Sequence, residues 1–500
     1  MLNDTFKQFK SGTDIRGVAV EGVAGQPVNL TDDAVCRMAD GFVLWLAAKT
    51  GKDTDSLKIS VGRDSRISGP HIMELCVDRF VRAGAEVVRC GLASTPSMFM
   101  TTVELGCDGA LQITASHHPF NRNGLKFFTR EGGLEGSDID VILTFAQEDK
   151  HPMEYDTGRA YDCDFMSDYA RGLCDKIKSE VSAEDYDHPL RGFHIVVDAG
   201  NGAGGFYADK VLAVLGADTT GSRYLEPDGM FPNHVPNPED AAAMASICEA
   251  VRESRADLGV IFDTDVDRGG AVDSKGNEIN RNRLVAAAAA IALEGNEGGT
   301  IVTDSITSSG LREFIENNLG GKHYRYRRGY KNVIDKALEL NAEGINCPLA
   351  IETSGHAAMR ENYFLDDGAY LCTKIIIKAA QLRKEGKGLD ELTAGLKEPL
   401  ESREIRYRIL EKDFRACGEK IIADLTAYAE QREDWHLADD NREGVRVSFD
   451  KENGDGWFLL RLSVHDPIMP LNIESDSEGG VEKILAQLTA FLQTTQGLDL

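Results

Sequence analysis

The stretch Leu57-Lys58-Ile59-Ser60-Val61-Gly62-Arg63-Asp64-Ser65-Arg66-Ile67-Ser68-Gly69-Pro70 decides the fold. The run to Val61 reads as a strand, Gly62 to Arg66 as a polar turn, and Pro70 as the opening of a helix reaching about Ala83. Proline is tolerated there because the N–H it lacks has no acceptor in a first helical turn. Ile72, Met73, Cys76, Val77, Phe80 and Val81 recur at three- and four-residue spacing, so one helix face is apolar, and Glu86-Val87-Val88 opens the next strand. Strand, loop, helix, strand is the unit from which layered α/β sheets are built.

The same unit returns at Phe193 to Val197, with Asp198-Ala199-Gly200-Asn201-Gly202 and a helix to about Leu215 behind it. It returns again at Thr300 to Thr303, with Asp304-Ser305 and a helix to about Leu319. The copies are unequally spaced and lie much farther apart than the roughly 20–50 residues of a solenoid repeat, which predicts three related domains. After Pro399 the texture changes to an alternating stretch (Ile405, Tyr407, Ile409), an amphipathic helix (Phe414 to Ala429), two strands (Val445 to Phe449, Trp457 to Leu462) and a final helix (Val481 to Leu492). The expected fold class is α/β, three tandem related α/β domains followed by a smaller C-terminal α+β domain. Polar breaks place the domains at 1–155, 156–275, 276–399 and 400–500.

Composition narrows the function classes. With 500 residues, 55 Lys and Arg against 82 Asp and Glu and a formal charge of −27, the chain is acidic along its length and repels a polyphosphate backbone. Nucleic acid is therefore not an expected partner. The longest apolar run, Leu284 to Leu293, is far short of the roughly 20 residues a bilayer span requires, so no membrane partner is expected either. The first residues resemble neither a secretory nor a transit segment, and the ten cysteines contain no C-x-x-C pair, which together point to a cytoplasmic protein with reduced thiols.

Three loops carry candidate chemistry. Leu111-Gln112-Ile113-Thr114 reads as a strand end that delivers Ala115-Ser116-His117-His118-Pro119 into a turn closed by Asn123-Gly124. Lys126 returns on the next strand, so a hydroxyl, imidazoles and an ammonium converge; the alternative is an ordinary turn with Lys126 solvated. Leu258-Gly259-Val260-Ile261-Phe262 reads as a buried strand that runs into Asp263-Thr264-Asp265-Val266-Asp267-Arg268. Alternation in an extended loop would turn the three carboxylates one way, and they repel one another unless a cation such as Mg²⁺ joins them. A calcium hand is excluded, because Arg268 and Ser274 stand where Gly and Glu are needed. The third loop is Glu352-Thr353-Ser354-Gly355-His356, followed by Asp366-Asp367-Gly368, in which a carboxylate and a hydroxyl two apart are able to grip sugar hydroxyls. Gly200, Gly202 and Gly205 outline a dinucleotide fingerprint, but the sibling units lack it, and a tight backbone turn accounts for it.

Thr114-Ala115-Ser116-His117-His118-Pro119 with Asn123-Gly124-x-Lys126, Asp263-x-Asp265-x-Asp267-Arg268 and Glu352-x-Ser354-Gly355-His356 stand in order on three repeated domains. In this the chain resembles the α-D-phosphohexomutase superfamily (phosphoglucomutase and phosphomannomutase). Gly12-Thr13-Asp14-Ile15-Arg16-Gly17, Gly62-Arg63-Asp64-x-Arg66, Asp228-Gly229-x-Phe231-Pro232-x-His234-x-Pro236-Asn237-Pro238 and Asp367-Gly368 extend the likeness over nearly the whole chain.

The resemblance implies four domains around a central cleft and a Mg²⁺-dependent isomerase, an intramolecular phosphotransferase of carbohydrate metabolism. Such an enzyme interconverts hexose 1- and 6-phosphates of glucose or mannose, or both, through a phosphoserine and a hexose 1,6-bisphosphate that turns around between transfers. It implies Ser116 as phosphoryl carrier, with Asp263, Asp265 and Asp267 holding the metal beside it. Arg16, Lys126 and Arg268 would line the transfer site, with Lys126 or His117 as proton shuttle. Glu352 and Ser354 would recognise the sugar, and His356 and Lys331, in the turn Arg328-Gly329-Tyr330-Lys331, would help close the reorientation chamber.

The fourth domain departs from the family pattern. Where Arg-x-Ser-Gly-Thr-Glu-Pro and a second Arg grip the distal phosphate, this chain has Arg461-Leu462-Ser463-Val464-His465-Asp466-Pro467, with Pro470 at the place of the second Arg. Val464 adds a Cβ that resists close approach to phosphate, which leaves Arg461, Ser463 and His465 as donors. His118 stands where the family commonly has Asn. Two other readings fit parts of the sequence. One is a phosphatase acting on sugar phosphates through Asp263 and Asp265, and the other a catalytically weakened sugar-phosphate-binding member of the same fold. Sugar phosphates are the expected partners, and a monomer or homodimer the expected assembly.

Overall fold

The computed structural model describes residues 2–463 and 466–500. The chain forms two compact units. The first takes in the chain up to Asn280 together with Ser354–Ala358 and Leu365–Glu391, and the second comprises Arg281–Thr353, Met359–Phe364 and Leu392–Leu500.

In the first unit, the deciding stretch folds as read. The strand Lys58–Arg63 is buried from Ile59 to Gly62, and the helix Gly69–Arg82 buries Ile72, Met73, Cys76, Val77 and Phe80. The strand pairs in parallel with Glu86–Leu92 on one side and Gly109–Ile113 on the other. Asp14–Val18 and Arg122–Thr129 extend the sheet antiparallel beyond Gly109–Ile113. At the opposite edge the strand Arg159–Asp162 adds in parallel to Glu86–Arg89, so the first sheet runs past residue 155. The core under it is built from residues such as Phe42, Phe80 and Phe127, all within a few per cent of complete burial.

The second sheet of this unit is ordered Glu278–Ile279, Gly269–Asp273, Leu258–Phe262, Ile195–Asp198, with the last two strands parallel and fully buried. The helix expected up to Leu215 is only a six-residue π-type turn, Tyr207–Leu212. The reason lies in the glycines before it. A Cβ on Gly202 would meet the Thr264 carbonyl oxygen at 2.6 Å, and one on Gly205 would meet that of Leu225 at 2.2 Å. The segment follows neighbouring backbone through Gly205 and has little length left to coil.

In the second unit, Thr300–Thr303 pairs in parallel with Lys322–Arg325 and with Leu349–Ile351. The expected helix to Leu319 is present as Ser309–Glu313 continued by a π-type segment Phe314–Asn318, with Ser308 capping its start. The C-terminal sheet is ordered His436–Leu437, Val445–Phe449, Gly456–Leu460, Ile468–Ser475, Glu401–Ile409, Leu498–Asp499, with the helices Phe414–Glu430 and Gly480–Leu492 packed on a core that holds Trp435, Phe458 and Leu488.

The strand Ile468–Ser475 was not expected. Pro470 belongs to it rather than to the preceding loop, which corrects the reading of 461–470 as one phosphate loop. Pro470 is tolerated inside the sheet because the ladder to Gly456–Leu460 ends at the pair Leu460 and Leu471, and beyond it the Pro470 carbonyl accepts from Arg461 N–H at 3.1 Å. Among the described residues, no helix is long and apolar enough to cross a membrane, and all ten cysteines are free thiols.

Candidate active site

The buried strand Gly109–Ile113 ends in Thr114, whose Oγ1 accepts from Ser116 N–H at 2.9 Å and bends the chain into a turn. Ser116 adopts φ 50°, the left-handed region that costs a side-chain-bearing residue roughly 1–2 kcal/mol. Its hydroxyl Oγ stands 3.2 Å from Asp263 Oδ2, accepts from the Arg268 guanidinium at 3.1 Å and lies 3.3 Å from His117 Nδ1. The nucleophile expected from the sequence is thus 4 % exposed and already hydrogen-bonded to a carboxylate and a cation.

The Asp263-to-Arg268 segment links the antiparallel strands Leu258–Phe262 and Gly269–Asp273. It is not the extended loop expected from alternation. Val266 sits at φ 68°, and its N–H donates to the Asp263 carbonyl at 3.3 Å, so a tight turn gathers the carboxylates. One oxygen from each of Asp263, Asp265 and Asp267 lies within 4.8 Å of the others, and all three residues are buried. Thr95 donates its hydroxyl to Asp265 Oδ2, and its backbone N–H donates to the Asp265 carbonyl at 2.8 Å.

Electrostatics divides the triplet. Burial and the neighbouring carboxylates push Asp263 well above the usual carboxylate range, and burial and Asp267 push Asp265 up to about 6. Burial pushes Asp267 up too, but the Lys126 ammonium, 2.8 Å from its Oδ2, outweighs this and holds it below the ordinary value. Asp265 Oδ1 and Asp267 Oδ1 are buried without a hydrogen-bond partner among the described residues. Hard oxygen donors, two of them orphaned, around one point fit a divalent cation such as Mg²⁺, which would offset their mutual repulsion.

Lys126 is not solvated. It is buried on the strand Arg122–Thr129 and bound to Asp267. The imidazole of His117 accepts from Arg268 at 2.8 Å through Nδ1, and burial followed by the charge of Arg268 pushes its pKa down to about 2. His118 is pushed down to about 3 by burial and by Arg16. Both rings are neutral bases at neutral pH. Arg16 lies on the strand Asp14–Val18 and is ion-paired with Asp14 at 3.1 Å. His356 is placed beside the aspartate turn: its Nδ1 is 2.6 Å from Asp366 Oδ2 and 3.7 Å from Asp267 Oδ1. Asp267, His356 and Asp366 form a second cluster of ligand-type side chains. Ser354 is also buried in this unit. The structure therefore brings together Ser116, His117, Lys126, Arg268, His356 and the three aspartates. The sequence reading missed Thr95, although Ser94-Thr95-Pro96 carries the signature of a capped helix start, with Ser94 Oγ accepting from Ser97 N–H at 3.2 Å.

The second unit holds the remaining candidates. Glu352 is buried, and its Oε1 accepts from Gly329 N–H at 2.6 Å, which ties the Arg328-to-Lys331 turn to the Glu352 loop. Thr353 donates to Asp304 Oδ2 at 2.8 Å, and burial together with Glu352 pushes Asp304 up to about 7. Lys331 is ion-paired with Asp335 one helical turn on. The Arg461 guanidinium is pulled down by burial against the pull of Glu443, and its buried Nε has no hydrogen-bond partner among the described residues. Ser463 Oγ accepts from Asp466 N–H at 3.3 Å. Val464 and His465 lie outside the described residues.

Family models described as phosphoglucomutase/phosphomannomutase, alpha/beta/alpha domains I, II and III, match residues 8–151, 168–276 and 280–399. A phosphoglucomutase/phosphomannomutase from Thermococcus kodakarensis is 30% identical over 462 residues, 92% of this chain and 94% of that protein. A phosphoglucomutase from Neisseria meningitidis is 28% identical over 500 residues, 100% of this chain and 98% of its own length. The crystal structure of a phosphoglucomutase/phosphomannomutase family protein from Burkholderia thailandensis superposes with a TM-score of 0.79 at 25% identity, covering 99% of this chain and 98% of that one. A serine poised on a carboxylate turn and domain-by-domain matches in the same order lead to one assignment: the chain belongs to the phosphoglucomutase/phosphomannomutase family of α-D-phosphohexomutases.

Proposed function

We propose that the protein is a phosphohexomutase that interconverts hexose 1-phosphate and hexose 6-phosphate, of glucose, mannose or both, with Ser116 as phosphoryl carrier. The observation that carries the reading is Ser116 Oγ between Asp263 Oδ2 at 3.2 Å and the Arg268 guanidinium at 3.1 Å, on the edge of the aspartate cluster. Asp263, Asp265 and Asp267, with Ser116 as a further oxygen ligand, would hold Mg²⁺, which when bound supplies positive charge opposite the roughly −2 of a phosphoserine.

The remaining work falls to the chain itself. Arg268 neutralises phosphoryl oxygens on Ser116, and the neutral His117 or the Lys126 ammonium moves the proton between Ser116 Oγ and the attacking sugar hydroxyl. The first transfer gives a hexose 1,6-bisphosphate, and after the sugar turns around, its other phosphate returns to Ser116. Glu352 and Ser354 recognise sugar hydroxyls in this scheme, and Arg461 and Ser463, with His465, grip the distal phosphate. The proposal includes the domain division 1–155, 156–275, 276–399 and 400–500, with Arg159–Asp162 after the first boundary returning as an edge strand of the first sheet, and a cytoplasmic location, which the ten free thiols support.

A phosphorus NMR time course with Mg²⁺, a trace of glucose 1,6-bisphosphate, and glucose 1-phosphate or mannose 1-phosphate tests it. A growing 6-phosphate signal, absent in Ser116→Ala, is the expected result. Inorganic phosphate growing in its place would replace the mutase reading by a phosphatase.

A further inference from the structure

Among the described residues Arg66 is the largest fully buried side chain, and its surroundings show why an arginine stands there. One terminal nitrogen donates to the carbonyls of Pro119 at 2.8 Å and Arg122 at 2.9 Å, and the other to those of Ser116 and His118 at 2.5 and 2.6 Å. Its Nε lies 3.3 Å from Asp64 Oδ2, and Asp64 Oδ1 accepts from its backbone N–H at 2.8 Å. The guanidinium carbon lies 5.2 Å from the centre of the Phe231 ring. The loop that carries Phe231 approaches closely because residue 229 is glycine: a Cβ there would meet Ser65 O and Ile67 N at 2.5 Å.

The four carbonyls belong to the segment 116–122, whose first residue is the nucleophile in a left-handed conformation. That conformation costs roughly 1–2 kcal/mol and persists where surrounding contacts hold it, as the contacts of Arg66 do. A planar fork with two nitrogens, each reaching two acceptors, fixes both ends of the turn at once, which the compact ammonium of lysine does not match. The same Asp228-to-Pro238 loop also reaches the second arginine of the site, since Asn237 Oδ1 accepts from Arg268 at 3.3 Å.

We propose that Arg66, held by Asp64 and covered by Phe231, is a positioning residue for phosphoryl transfer, which keeps the Ser116 loop in its strained turn so that Oγ faces the aspartate cluster. The inference rests on the reading of Ser116 as phosphoryl carrier. The terminal nitrogens of Arg66 donate to backbone carbonyls, its Nε pairs with Asp64, and it takes no part in bond making.

The test uses the full chain with Mg²⁺ and measures single-turnover phosphorylation by glucose 1,6-bisphosphate through the mass of the Ser116 peptide, beside steady-state KM for glucose 1-phosphate. Arg66→Lys is expected to slow phosphorylation by about 10²-fold with KM unchanged, the penalty of a misplacement of about 1 Å. Phe231→Leu, which keeps the hydrogen bonds and removes the ring, is expected to slow it by several-fold, in line with a cation–π contact of about 1 kcal/mol. A phosphorylation rate equal to wild type in Arg66→Lys overturns the proposal, as does a loss shared equally by rate, KM and melting temperature. Should Arg66→Lys fail to fold, an unchanged rate in Phe231→Leu overturns it. Ser116→Ala separates the two levels: phosphorylation persisting in that variant refutes the carrier reading itself, whereas its loss alongside normal rates in the Arg66 and Phe231 variants refutes only the positioning role.

Discussion

Replacing Lys126 with methionine should weaken the enzyme and tighten its metal site together. The ammonium sits 2.8 Å from Asp267 Oδ2, with 5% and 2% of the two side chains exposed, so the substitution strands a carboxylate in a dry site. Breaking such a pair costs about 3–5 kcal/mol. At about 2–4 °C per kcal/mol for a domain of some 150–250 residues, the metal-free variant should melt roughly 10 °C lower. A divalent cation restores the missing charge, so Mg²⁺ recovers part of that cost on binding, and each 1.4 kcal/mol recovered tightens binding about tenfold. Turnover should move the opposite way, by about 10²–10⁴-fold, if the ammonium carries the proton.

The sign of the pH effect follows. In the wild type the ion pair holds Asp267 below its ordinary range, so the stability it contributes is present above the unfolded carboxylate value of about 3.9 and is lost as pH falls. Without Lys126 that contribution is gone at neutral pH as well. Melting curves with and without Mg²⁺, and calorimetric titration of Mg²⁺, measure both quantities. A Mg²⁺-induced rise in melting temperature no larger in Lys126→Met than in the wild type would refute the reasoning.

Gly202→Ala places a Cβ 2.6 Å from the Thr264 carbonyl oxygen inside the metal turn, and overpacking of about 1–3 kcal/mol should appear as a weaker Mg²⁺ midpoint in titrations. His234 donates to Asp198 at 3.0 Å and to the Val235 carbonyl at 2.9 Å, and although burial pulls its pKa down, Asp198 outweighs this and raises it. Its contribution is therefore complete below about pH 6.5 and fades as pH rises through the raised value, so the melting difference between wild type and His234→Gln should be largest near pH 6 and shrink above neutrality. In the second unit, Asp440 accepts from the buried Arg325 at 2.5 Å, and although burial pushes its pKa up, this pair keeps it low. Asp440→Asn should cost about 3 kcal/mol at pH 7, and the difference from wild type in thermal melts should begin to shrink below about pH 4 and vanish as pH falls through the lowered native value.

What was legible in the sequence follows from range. The strand, turn and helix around Pro70 are set by neighbours a few residues apart, and the three aspartates announce themselves because like charges after a buried strand need a reason. Their arrangement was less legible: alternation predicts an extended loop, whereas Val266 at φ 68° makes a turn, and a β-branched residue gives no warning of that conformation. Arg66 and Thr95 act through hydrogen bonds to partners 50 or more residues away, which no local pattern encodes. Pro470 hid the strand Ile468–Ser475, because a proline in a run argues against a central strand unless the ladder ends beside it. Lys126 was legible as a site residue, and the alternative that left it solvated fails because its strand is covered on both faces.

The first unit is not continuous in the chain: Ser354–Ala358 and Leu365–Glu391 return to it after a long excursion through the second. During synthesis, the aspartate turn leaves the ribosome well before His356 and Asp366, the groups that stand beside Asp267. The aspartate turn must therefore wait, with its centre incomplete, for about ninety residues to His356 and about a hundred to Asp366, at roughly 5–20 residues per second. Splitting the gene after Asn280 would give one polypeptide with the serine and the aspartates and another with the histidine, so neither half would carry the assembled centre alone.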